Sequence, residues 1–100
     1  LKHFVANSVE RLRTGTGSFP RRTPAVDAII DDATLHELYL APFRRAIERH
    51  GALGLMTSYN RLNGEYPSQS SALLALPRRL WGFAGVTVPD FIFAVRDPEA

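Results

Sequence analysis

Three short apolar runs alternate with two helical patterns along this chain, and that alternation constrains its fold more than any other feature. Residues 1–6 read as the end of a strand, 32–50 as a helix, 52–57 as a second strand, 70–80 as a second helix and 85–88 as a third strand. Strands separated by helices pack as parallel neighbours joined by right-handed crossovers. The expected class is therefore α/β, a β-α-β-α-β fragment with parallel strands. Three strands and two helices cannot cover both faces of a sheet. A complete (β/α)8 TIM-type barrel takes ~250 residues, so a chain of this length holds about two-fifths of one. The open alternative is a doubly wound sheet, but no Gly-rich phosphate loop follows any strand. The chain starts at Leu1 in a strand-like run, as expected of a segment incomplete at both ends of one larger domain.

The first helix is the clearest element. Leu35, Leu38, Tyr39, Pro42, Phe43, Ala46 and Ile47 recur at helical spacing, with Glu37, Arg44, Arg45, Glu48 and Arg49 elsewhere on the surface. Asp31 or Asp32 can cap its start and Gly51 ends it, while Pro42 predicts a kink or irregular first turns. Residues 7–31, about 25 in number, form a polar connection longer than an ordinary loop, anchored by Val26, Ile29 and Ile30. The second helix presents Leu73, Leu74, Leu76 and Leu80 and is weakened by Pro77. Asn63-Gly64 marks a turn.

Polar clusters fall where the strand-like runs end. Lys2-His3 sits in the first run, Ser58-Tyr59-Asn60 follows the second, and Asp90 follows the buried-looking run Gly85-Val86-Thr87-Val88-Pro89. A carboxylate placed there is costly to bury without partners. In parallel α/β barrels the chemistry sits at the C-terminal strand ends, which is where these groups gather. Other chemistries lack residues to carry them. The net charge is only +2, and Arg21-Arg22, Arg44-Arg45 and Arg78-Arg79 are isolated pairs rather than a nucleic-acid-binding face. Cysteine is absent, which removes disulfides and thiolate metal sites, and no His or carboxylate pair has metal-ligand spacing. No run reaches the ~18 apolar residues of a membrane span.

Four segments together resemble glycoside hydrolase family 3 in its β-glucosidase-like branch. They are Lys2-His3-Phe4-Val5-Ala6-Asn7-Ser8 with Glu10; Thr34-Leu35 with Glu37-Leu38-Tyr39-Leu40 and Pro42-Phe43; Met56 with Ser58-Tyr59-Asn60 and Leu62-Asn63-Gly64-Glu65-Tyr66; and Trp81-Gly82-Phe83, Gly85, Asp90-Phe91-Ile92-Phe93 with Val95-Arg96-Asp97. The resemblance spans nearly the whole chain in order. It implies that residues 1–100 are part of one N-terminal barrel domain, with Asp90 the catalytic nucleophile that forms a covalent glycosyl-enzyme intermediate. It further implies that Lys2 and His3 hold sugar hydroxyls, and that Met56 and Tyr59 lie near the nucleophile. The hexosaminidase branch follows its Lys-His-Phe with Pro-Gly-His-Gly, whereas Val5-Ala6-Asn7-Ser8 stands here.

The implied activity is a retaining exo-acting glycoside hydrolase that removes terminal β-linked sugars. Its partner is a carbohydrate, not nucleic acid or a membrane, and no metal or organic cofactor is implied. The resemblance implies that the acid/base Glu comes from a downstream domain and that further strands complete the barrel; Glu10, Glu65 and Asp97 match no such role. Glu10 and Arg13 could reach the pocket rim, whereas Asn7 and Asn60 are expected to brace loops, and His36 and His50 to be surface or packing residues. Pro89 replaces a frequent Ser and removes an amide from the strand end, Ala33 and His36 depart from the usual pattern of the first helix, and Pro77 interrupts the second. The alternative reading is a non-catalytic sugar-binding or scaffold remnant of the same barrel. Neither localisation nor the exact sugar is legible.

Overall fold

The computed structural model describes residues 1–17, 21–91 and 94–96. Its centre is β2 (Gly54–Thr57), which pairs in parallel with β4 (Val86–Pro89) in the register Gly54↔Val86 to Thr57↔Pro89. The first residues line the other edge of β2. The Leu1 amine donates to the Gly54 carbonyl at 2.7 Å, and the amides of Met56, Phe4 and Ser58 donate in turn to the carbonyls of Leu1, Met56 and Phe4. The order is thus residues 1–5, β2, β4, all parallel, with one helical layer crossing between each pair.

Period-two alternation divides the faces of this sheet. Phe4, Leu55 and Thr57 are buried toward the helices. The Phe4 ring meets Phe43 edge-on at 5.1 Å and Trp81 at 6.4 Å, and Leu35, Leu40, Ile47, Leu73 and Phe83 complete the core. Each such side chain contributes about 1.5–3 kcal/mol by leaving water. The opposite face is open: Val86 is 65% exposed and Val88 41%. The buried third strand expected from its composition is therefore an edge strand that shows its apolar side chains to solvent. An all-apolar run is compatible with burial on two faces, but here the helices cover only one.

The first helix is not continuous. α1 (Asp32–Thr34) leads into a π-helical turn at Leu35–Tyr39, and α2 (Ala41–His50) follows. Asp31 caps the start, accepting from the Thr34 amide at 3.1 Å, and the Thr34 hydroxyl, with that amide, holds its carboxyl below the usual value of 3.8. The Leu40 amide reaches back to Leu35 rather than to residue 36, which inserts one residue into the helical phase. That insertion rotates the apolar face. Leu40 is buried where 3.6-residue spacing predicted Leu38, and Leu38 is 67% exposed. Pro42 is likewise exposed; it lies in the first turn of α2, where no amide partner is needed, and the irregular first turns expected of this helix are the α1 and π turns before it. Gly51 ends α2 at φ 63°, its amide bonding Ala46 and Ile47.

α3 (Ser71–Leu80) is capped by Ser70 and runs unbroken through Pro77, which is itself buried. Leu80, expected on its inner face, is 67% exposed. The long connection holds a strand that composition did not reveal: β1 (Asp27–Ala28) pairs in parallel with β3 (Arg61–Leu62). Of its expected anchors Ile30 packs on the core, whereas Ile29 is 77% exposed. Two-residue strands are too short to print a periodicity. Their ladder and the Asn63 side chain, bonded to both backbone groups of Ile30 at 2.8 Å, hold the connection over the end of β2.

Candidate active site

Asp90 emerges from β4 directly beside the end of β2, where its amide donates to the Thr57 carbonyl at 3.1 Å. Along β4 the amides of Val86 and Asp90 both turn toward β2, so the position between Val88 and Asp90 points its amide at the free edge. Pro89 occupies that position. Its missing N–H therefore leaves the β2–β4 ladder intact, and the sequence departure does not loosen the carboxylate.

Two side chains converge on this carboxylate from the other strand ends. His3 Nε2 lies 3.5 Å from Asp90 Oδ2, with side-chain exposures of 28% and 16%. The Tyr59 hydroxyl hydrogen-bonds the same carboxylate. Burial, then the Asp90 charge and its hydrogen bond, push the Tyr59 phenol above its ordinary value of 10.0, and the nearby Arg13 cation opposes them. Tyr59 thus stays a donor at neutral pH. The Arg13 guanidinium sits over the Tyr59 ring, 5.2 Å from its centroid, and pairs with Glu10 at 3.1 Å.

The residues flanking Tyr59 build the site rather than face into it. Ser58 Oγ and Asn60 Nδ2 both donate to the Val5 carbonyl at 3.1 Å, and Asn60 also holds the Arg61 carbonyl at 3.0 Å. The strand end after β2 therefore clamps the strand end that carries His3. Asn60 braces, as expected, whereas the Asn7 Oδ1 atom is buried without a hydrogen-bond partner among the described residues. Thr57 Oγ1 and Asn60 Oδ1 are buried in the same unpartnered state.

Lys2 and Met56 lie farther down the open face. With Leu1, Gly54, Val86 and Val88 they line a concave volume of about 300 Å³. Neither touches Asp90 through a hydrogen bond or ion pair among the described residues. His36 and His50 are exposed on the helical layer, away from the carboxylate. Asp97, Ile92 and Phe93 lie outside the described residues. No group of three or more His, Cys, Asp or Glu among the described residues could hold a metal ion, and no helix among them is long and apolar enough to cross a membrane. Chemically, the arrangement offers one carboxylate with a neutral donor on one side and an imidazole on the other, open to the uncovered face of the sheet.

The structure brings together Asp90, His3 and Tyr59, which the sequence placed in or after three strand-like runs; the clamp that Ser58 and Asn60 place on Val5 and the contacts of Arg96 were not anticipated. The Arg96 Nη2 atom donates to the Thr14 carbonyl at 2.7 Å, and its guanidinium covers the Tyr66 ring at 5.1 Å. These partners lie far away in sequence, so no local pattern signals them.

The family profile described as the glycosyl hydrolase family 3 N terminal domain matches residues 1–97. A beta-glucosidase of Rhizobium radiobacter is 41% identical over 92 residues, covering 91% of this chain and 10% of that protein. A probable beta-glucosidase M of Emericella nidulans is 44% identical over 93 residues, covering 91% and 12%. Among solved structures, a Bifidobacterium adolescentis GH3 beta-glucosidase superposes with a TM-score of 0.82 at 33% identity, covering 97% of this chain and 13% of that one. Beta-glucosidase 3B of Thermotoga neapolitana in complex with glucose gives 0.76 at 38% identity, covering 89% and 11%. The chain spans about a tenth of the length of these relatives, and its parallel strands match part of their N-terminal TIM-type barrel.

Proposed function

This chain belongs to glycosyl hydrolase family 3, and from that premise we propose that it supplies the nucleophile-bearing part of a retaining, exo-acting β-glucosidase-like hydrolase. The observation that carries the reading is the meeting of Asp90, His3 and Tyr59 at the ends of three parallel strands. In the proposed first step an Asp90 oxygen attacks the anomeric carbon, the glycosidic C–O bond breaks, and a separate carboxylic acid protonates the departing oxygen. Water then attacks the same carbon, the Asp90 ester bond breaks, and the second carboxylate takes the water's proton. The two carboxyl groups of such a site stand ~5–5.5 Å apart.

The acid is assigned to a downstream part of a longer protein, and the strands that would cover Val86 and Val88 to another part of the same barrel. Residues 1–100 then form one portion of that N-terminal barrel domain. Tyr59 orients the carboxylate by its hydrogen bond, while Lys2 and His3 bind hydroxyls of the sugar and Met56 walls the pocket. Glucose is the proposed sugar, because relatives of this chain are named beta-glucosidases and one was solved with glucose.

The test is Asp90→Asn in the longer hydrolase. The amide keeps the shape and removes the nucleophilic charge, so kcat falls by several orders of magnitude while glucose still binds. Added azide partly restores turnover and yields the glycosyl azide of opposite anomeric configuration. A variant that keeps most of its turnover number refutes the assignment.

A further inference from the structure

We infer that Arg96 is a positioning residue for the Asp90 nucleophile, acting through Thr14, Arg13 and Tyr59; the inference rests on the reading of Asp90 given above. Arg96 lies beyond β4, downstream of Asp90, yet its side chain is spent on the long connection near the start of the chain. Its Nη2 donates to the Thr14 carbonyl at 2.7 Å, across 82 positions of sequence. The same carbonyl accepts from Arg22 Nε at 2.7 Å, and Arg22 Nη2 takes the Thr14 hydroxyl at 2.6 Å. One peptide oxygen is therefore gripped by two guanidinium groups, which is a strong and directional fixation.

The residue before that peptide is Arg13, whose cation sits over the Tyr59 ring at 5.2 Å, and Tyr59 in turn bonds Asp90. Arg96 itself is held on two further sides. Its guanidinium lies over Tyr66 at 5.1 Å, and its amide donates to Gln69 Oε1 at 2.9 Å. The fork therefore ties three segments together: the one after the nucleophile, the one carrying Arg13 and the one after Tyr59. A loosened Thr14 leaves Arg13 anchored by Glu10 alone, so its cation sits less firmly on the ring whose hydroxyl orients the carboxylate.

The requirement is for a planar fork, not for charge alone. Lys could donate to Thr14, but it could not lie flat on Tyr66 while doing so. A misplacement of about 1 Å at a reacting group costs on the order of 10²-fold in rate.

The experiment uses the longer hydrolase and a 2-deoxy-2-fluoro-β-glucoside with a good leaving group, and follows covalent labelling by intact mass. The amplitude reports the folded, competent fraction, and the first-order rate constant reports how well Asp90 is aimed. Arg96→Met is expected to lower the rate constant on the order of 10²-fold at unchanged glucose inhibition. Arg96→Lys is expected to recover roughly half of that loss on a logarithmic scale. A lower amplitude with an unchanged rate constant would show a purely structural role and overturn the inference. So would wild-type kinetics in Arg96→Met. Should Arg96→Met not fold, Arg96→Lys decides by the same criterion: wild-type rate constant against, a lowered one for. Wild-type enzyme labelled at a residue other than Asp90, or not labelled, overturns the underlying assignment and the inference with it.

Discussion

Replacing Tyr59 by Phe removes one oxygen and almost nothing else. The ring is 9% exposed and stays packed, and the Arg13 contact at 5.2 Å involves the ring rather than the hydroxyl. What disappears is a hydrogen bond to an ionised carboxylate, worth about 1.5–3 kcal/mol. If that bond orients Asp90 for attack, kcat/KM falls by roughly 10- to 150-fold. The pH dependence makes the test sharper. Burial and the Asp90 charge hold the phenol above 10.0, so the wild-type hydroxyl is a donor throughout the assay range. The ratio of wild-type to Tyr59→Phe activity should therefore be flat from about pH 5 to pH 9. At higher pH the sign is fixed by the raised pKa. The neutral phenol stabilises the fold below the ordinary value of 10.0, and that contribution is lost as pH climbs through the higher folded value. The alkaline loss of stability should be smaller in Tyr59→Phe. Initial rates on an aryl β-glucoside, with active sites counted by fluoroglucoside labelling, give the ratio. Undiminished kcat/KM, or a ratio that varies through neutrality, would refute the assigned donor role.

Other outcomes follow from the same geometry. Gly85→Ala would put a Cβ 1.9 Å from the Leu53 carbonyl oxygen, forcing open the Val86–Leu53 hydrogen bond of 2.9 Å at the start of the β2–β4 ladder; a loss of about 2–4 kcal/mol is expected by denaturant unfolding. His3→Ala should lower kcat/KM with little change in Tm, because the imidazole is part-exposed and meets Asp90 rather than the core; a Tm change with unaltered kinetics would make it structural. The 100-residue chain alone should associate through exposed Leu53, Val86 and Val88 and show no turnover on aryl β-glucosides, which light scattering and a rate assay test together.

The parallel order and the identity of the central carboxylate were legible because each rests on local features. Strand-like runs between helical patterns announce parallel pairing, and Asp90, His3 and Tyr59 each follow or sit within such a run. Where the reading failed, the cause was non-local or too short to leave a period. The π turn at Leu35–Tyr39 adds a residue that 3.6-fold spacing cannot anticipate, so Leu40 took the place predicted for Leu38. The β1–β3 pair has two residues a side. The apolar composition of β4 reported what it is built to face, not what covers it here. Of the site, Lys2 was picked out with His3 as a polar cluster and Met56 by resemblance alone; both line the open face, with no hydrogen bond or ion pair to the carboxylate among the described residues. The Arg96 fork was invisible because its acceptor lies 82 positions away.

Pro89 has one more consequence, for whatever strand lies along the free edge of β4. Such a neighbour finds an amide at Thr87 but none at the next outward-facing position, one step before Asp90. The carbonyl that would have accepted there is left with no sheet partner at the height of the carboxylate. Proteins seldom leave such an oxygen unused, so it must turn to water, to a side chain or to a hydroxyl of the bound sugar. The proline that looked in sequence like the loss of a bond within the β2–β4 pair would instead free an acceptor on the strand beyond it, at the height of Asp90.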